Sequence, residues 1–169
     1  MEIHRLTPLR SPLVKQALKD YEVLNFVYAG DLAHMPLTGS LLVDDQGLFE
    51  ILSSDEDVAS FLYREMAPFP DESAVREFIQ LFAEMRAYHW VQEKPLLPDA
   101  RLTRGEELPQ QEYRLELRRS RKSWSLECSL EVDPLSKGIY RYEIEIPMSA
   151  GGHIRLKRGE RQYLAQFIL

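Results

Sequence analysis

A chain of 169 residues with 44% apolar and 28% charged side chains has the length of one domain and the composition of an ordinary globular protein, which excludes a disordered chain. The net charge of −6 conceals a division: residues 1–99 hold 8 Lys and Arg against 17 Asp and Glu, a balance of −9, while residues 100–169 hold 13 against 10, a balance of +3. An acidic half disfavours general binding to nucleic acid or to an anionic membrane, although a basic strip on the other half can still meet a phosphate.

The N-terminal stretch Met1 to Ala17 is interrupted by Arg5, Arg10, Lys15 and two prolines, so it lacks the apolar core of a secretory signal. The longest uncharged apolar run, Val23 to Gly30, is too short to span a bilayer. Cys128 stands alone and allows no intrachain disulfide, so the expected location is the cytoplasm.

In chain order, Ser11-Pro12 is a helix start, a capping hydroxyl before proline at the first helical position. Leu13, Val14, Ala17, Leu18 and Tyr21 then recur at helical spacing and predict a first helix over Pro12 to Leu24. Leu41 to Val43 and Leu48 to Leu52 flank Asp44-Asp45-Gln46-Gly47 and read as a hairpin, with Asn25 to Tyr28 as a third strand. Ser54 before three carboxylates places a cap and negative charge at a helix N-terminus, and Val58, Phe61, Leu62 and Met66 give that helix its apolar stripe. Pro68 and Pro70 end it. Asp71 and Glu72 open a longer helix, on which Val75, Phe78, Ile79, Phe82, Met85 and His89 share one face.

From Tyr113 the period changes to two. Trp124, Leu126, Cys128, Leu130 and Val132 alternate with polar residues, as do Tyr140, Tyr142, Ile144 and Ile146, which predicts strands with one apolar and one charged face. Turns are expected at Ser120 to Ser123, Asp133 to Gly138, Pro147 to Gly152 and Arg158 to Arg161. The fold class is therefore α+β in a single domain: N-terminal helices and a small hairpin over about 1–94, a loop over about 95–111, and a roughly five-stranded antiparallel β-meander over about 112–169, covered on one face by helices.

No glycine-rich phosphate loop is present, and all eight glycines fall at expected turns or loops. His4, His34, His89 and His153 are scattered, and neither they nor Asp31 near His34 make a metal-ligand pattern; no metal and no cofactor is expected. Cys128 alternates with Leu126 and Leu130 and reads as a buried small hydrophobe. No serine elbow or cysteine-nucleophile signature occurs, which removes the motif-borne hydrolases without removing enzymes as a class.

Two surfaces remain. Arg118, Arg119, Arg121 and Lys122 surround the first turn of the meander and can meet acidic groups of a partner protein, although a solvated turn that discourages edge association accounts for them too. Trp124, Tyr140 and Tyr142, with His89 at the end of the long helix, can line a cleft between sheet and helices, although core packing is the better account, since His89 follows the apolar stripe and the strand aromatics alternate inward. The first suggests a non-catalytic protein-binding module such as an adaptor, a dedicated chaperone or an inhibitor of another protein. The second suggests a small-ligand-binding protein or an enzyme. Nucleic acid is the least favoured ligand, since the polar strand faces mix Arg with Glu.

Overall fold

In a computed structural model, described over residues 2–29, 36–92, 114–133 and 138–163, the chain mixes helices with two antiparallel sheets. The first sheet is the meander β1 (Glu2–Pro8), β2 (Tyr21–Ala29), β3 (Pro36–Asp44) and β4 (Phe49–Leu52), in that spatial order, with the short helix α1 (Pro12–Ala17) set between β1 and β2. Helices α2 (Asp55–Met66) and α3 (Glu72–Arg86) follow. The second sheet holds β5 (His89–Val91), β6 (Glu116–Arg119), β7 (Ser123–Asp133), β8 (Gly138–Pro147) and β9 (Arg155–Tyr163). Its order is β5-β7-β8-β9, and β6 pairs with β7 as well. Strand β6 lies opposite Trp124 to Glu127 and β5 opposite Ser129 to Glu131, so the two short strands share one edge of β7.

The helix starts follow their caps. Ser11, Ser54 and Asp71 accept the N–H of Val14, Asp57 and Ala74, satisfying donors that the first turn leaves unpaired. The turn between β3 and β4 is held by Asp44 Oδ1, which accepts from Gln46 N and Leu48 N at 2.9 Å, and by Gly47 at φ 81°.

Several expectations are corrected. The first helix does not reach Leu24: it stops after Ala17, and Tyr21 begins β2, because two ladders, to β1 and to β3, satisfy more backbone than a short helix can. The first half is thus not mainly helical, since β1 and a full β2 make four strands of the expected hairpin. The long helix does not carry His89, because Ala87 takes a left-handed conformation (φ 57°) and its N–H caps Ala83 O and Glu84 O, after which His89 enters β5. The expected turn at Arg158 to Arg161 is part of β9. Its register slips around Tyr140, and Gly159 sits where an added Cβ would lie 3.0 Å from Arg141 O, a strand glycine at an irregularity and not a turn glycine. The glycine at 39 likewise lies within β3. The loop over Pro95 to Gln111 lies outside the described residues.

One apolar core joins both sheets and the helices. Val58, Phe61 and Leu62 of α2 and Val75, Phe78, Ile79, Phe82 and Met85 of α3 are buried as helical spacing gave, Met66 is half-buried, and Leu81 beside the α3 stripe is buried too. Helix α3 touches the first sheet where Ser40 Oγ donates to Met85 O (3.0 Å) and Asn25 Nδ2 to Glu84 O (3.4 Å). It touches the second where the Phe82 and Tyr142 rings meet edge to face at 6.1 Å.

Candidate functional site

The first sheet is apolar on both faces. Register places Val23 beside Leu42 and Asn25 beside Ser40 on the side that packs against α3. The alternate positions therefore point the other way: Leu6 beside Phe26 and Gly39, Leu24 beside Leu41 and Ile51, and Val43 beside Phe49. Leu6 (51% exposed), Phe49 (70%) and Ile51 (52%) stand on this outer face, with Leu48 (65%) in the adjoining turn. Phe26 lies flat across Gly39, where an added Cβ would come within 2.4 Å of its Cζ, and is only 5% exposed.

Strand β4 pairs with β3 alone among the described strands, so the exposed apolar row runs along a sheet edge. Charged groups flank it, with Glu50 on β4 paired to Arg64 at 3.2 Å and carboxylates at the turn end. Glu22 and Asp45 are exposed beside Val43 and Phe49, and a concavity of about 350 Å³ next to them is lined by Lys19, Asp20, Glu22, Asp44 and Asp45 among others. The sequence did carry a signal for this two-faced sheet: Leu41-Leu42-Val43 and Leu48-Phe49 put apolar groups at both parities of a strand, unlike the strict alternation of β7 and β8.

The basic cluster is divided by the register of β6. Arg118 pairs with Ser125 on the outer charged face of the second sheet, while Arg119 faces the other way and stacks over the Trp124 ring at 5.3 Å. Arg121 and Lys122 are exposed in the turn, whose backbone is tied by Ser120 to Ser123 and by Met148 N donating to Lys122 O. The outer face also holds a shallow depression of about 400 Å³ whose charges alternate in sign, with Arg118, Arg155 and Lys157 facing Glu116, Glu143 and Glu145.

The aromatic candidates fall into packing positions. Trp124 is 6% exposed and its Nε1 donates to Phe69 O, and Tyr142 is fully buried against Phe82 and Tyr88. Tyr140 is half-buried beneath Arg158, whose guanidinium lies 4.7 Å from the ring centroid, and His89 is exposed. Cys128 is buried, and burial pushes its thiol up to about 12, which fits a packing role and not a nucleophile.

A polar knot that spacing alone did not reveal lies at the N-terminus of α2. Asp55 accepts from Arg86 Nε (2.8 Å), Tyr88 OH (2.8 Å) and Tyr142 OH (2.9 Å), and Arg86 also donates to Tyr88 OH. Burial, then the Asp55 charge, raises both phenols above the ordinary tyrosine range, so at neutral pH they are donors. With three donors on one carboxylate, the knot ties α2, α3 and the second sheet together, and its groups are occupied by one another. Among the described residues no cluster of His, Cys, Asp and Glu is arranged to hold a metal, and no helix is long and apolar enough to cross a membrane. Comparison with protein families, with curated proteins and with solved structures finds no match for this chain.

Proposed function

We propose that this protein is a non-catalytic, cytoplasmic protein-binding module, an adaptor, dedicated chaperone or inhibitor that holds another protein on the outer face of its first sheet. The observation that carries the reading is the exposed row of Leu48, Phe49 and Ile51 along a sheet edge. Keeping such groups in water is unfavourable by about 25 cal/mol per Å² of apolar surface, and a flat apolar edge also invites aggregation unless something covers it. The Arg118, Arg119, Arg121 and Lys122 turn supports a secondary, ionic contact at most, since Arg119 is already engaged with Trp124. The alternative, a ligand-binding protein or enzyme with a pocket between sheet and helices, has less support, because Trp124 and Tyr142 are taken up by packing and hydrogen bonds there.

The test is a photo-crosslinking residue placed at Phe49, and separately at Glu143 on the outer face of the second sheet, in the cell of origin. A discrete protein adduct from position 49, competed by unlabelled wild-type protein and missing from position 143, is the expected result. Adducts from position 143 alone would remove this surface from consideration.

A further inference from the structure

We infer that the edge strand β4 takes up an extended, basic segment of its partner protein, added as a further strand to the first sheet, with the partner's apolar side chains on Phe49 and Ile51 and its Lys or Arg side chains toward the acidic turn at Asp44 and Asp45. The inference rests on the protein-binding reading and specifies what is bound. Strand addition is the mode that a sheet edge favours, because ladder hydrogen bonds supply affinity while alternate side chains select the sequence. Four residues of β4 offer about 13 Å of ladder at roughly 3.3 Å per residue, so the bound segment is short.

Charge selects the occupant. Residues 1–99 carry a balance of −9. Glu50 on β4 is already paired with Arg64 of α2 at 3.2 Å, and the other carboxylates near the edge stand at its turn end, Asp44 and Asp45 in the turn and Glu22 two strands in on β2, with Lys19 beside them. Asp44 spends one oxygen on the turn through Gln46 N and Leu48 N, which leaves the exposed Asp45 as the nearest carboxylate for an incoming cation, with the exposed Glu22 on β2 adding to the negative field from two strands away. A second copy paired antiparallel through β4 itself would set the two acidic turns at opposite ends of the pair and bring no cation to Asp45, so it leaves that charge unanswered. A second copy's β9 edge is basic, with Arg155, Lys157 and Arg158, but β9-to-β4 pairing is head-to-tail and gives rings or filaments, which size-exclusion chromatography separates from a monomer.

The experiment is selection of a random twelve-residue display library against the full-length protein, wild type and the Phe49→Lys/Ile51→Lys double variant, with size-exclusion chromatography of both. Both substituted side chains are exposed, so the variant is expected to fold, and matching circular dichroism melts verify that. Enriched peptides should interleave Lys or Arg with apolar residues, should be lost in the double variant, and should bind at least about tenfold more weakly to Glu22→Lys/Asp45→Lys at low salt. Enriched peptides that need Phe49 and Ile51 but are neutral or acidic would overturn the basic segment and keep the protein-binding surface. No enrichment, or enrichment equal on the double variant, would overturn both. Concentration-dependent assembly abolished by the double variant would assign the edge to a second copy and overturn the inference.

Discussion

Asp55→Ala tests the polar knot. The Asp55 and Arg86 side chains are 13% and 11% exposed and meet at 2.8 Å, and the same carboxylate receives Tyr88 OH and Tyr142 OH. Removing it strands a guanidinium and two phenols in a nearly dry place. Breaking a buried ion pair from one side costs about 3–5 kcal/mol, and loss of a carboxylate from the first turn of α2 adds a few tenths to about 1 kcal/mol through the helix dipole. At about 2–4 °C per kcal/mol for a chain of this size, the melting temperature should fall by roughly 7–24 °C. Tyr142→Phe takes away one donor to the carboxylate and leaves Asp55 two, so its cost should be about 1.5–3 kcal/mol. Adding Arg86→Met to Asp55→Ala should recover part of the loss, since the uncompensated charge is then gone. Urea and thermal unfolding followed by circular dichroism provide the comparison. If Asp55→Ala melts within about 2 °C of wild type, water replaces the carboxylate and the knot is not the tie argued here.

Two further outcomes follow from burial and close contact. Cys128 keeps its proton in the folded protein up to about 12, against an ordinary value of 9.0, so the stability it lends is complete below pH 9 and is lost progressively as pH rises toward 12. The loss should approach about 1.4 kcal/mol per pH unit in that window, and urea midpoints of wild type and Cys128→Ala should converge as pH is raised; parallel midpoint curves would contradict the burial. Gly39→Ala places a methyl 2.4 Å from Phe26 Cζ and 2.9 Å from Leu52 O, a backbone atom that cannot swing aside, so it should destabilise by about 1–3 kcal/mol; an unchanged melt would mean that Phe26 leaves the sheet surface freely.

The local elements were legible wherever a single local rule decided them. Ser54 and Asp71 cap helices because a short side-chain oxygen reaches the free N–H groups of the first turn, and the stripes of α2 and α3 are buried because spacing of three and four residues puts them on one face. Strands β7 and β8 were readable from alternation, since Trp124 to Leu130 and Tyr142 to Ile146 set one face in the core, although Ser129 and Ile139 on the other face are buried as well. Where two periods compete, tertiary pairing decided. Leu18 and Tyr21 fit a helix by spacing, yet Tyr21 to Ala29 gains ladders on both sides only as β2, a benefit that exists only once β1 and β3 are in place. The basic run at the end of the chain reads as a turn through Gly159, but pairing with β8 absorbs it into β9.

The candidate surface divides in the same way. Composition determined that the first half is acidic and that its strands carry apolar groups at both parities. It could not say which of those groups the helices would cover, because a strand's inner face is fixed by register with its neighbours and one residue of slip exchanges the faces. Folding turned Leu42 and Leu52 toward α2 and α3 and left Phe49 and Ile51 outside. Likewise Asp55, Arg86, Tyr88 and Tyr142 are separated by up to 87 residues, and no spacing rule links them; they meet because the start of α2, the end of α3 and the middle of β8 converge on one point of the core.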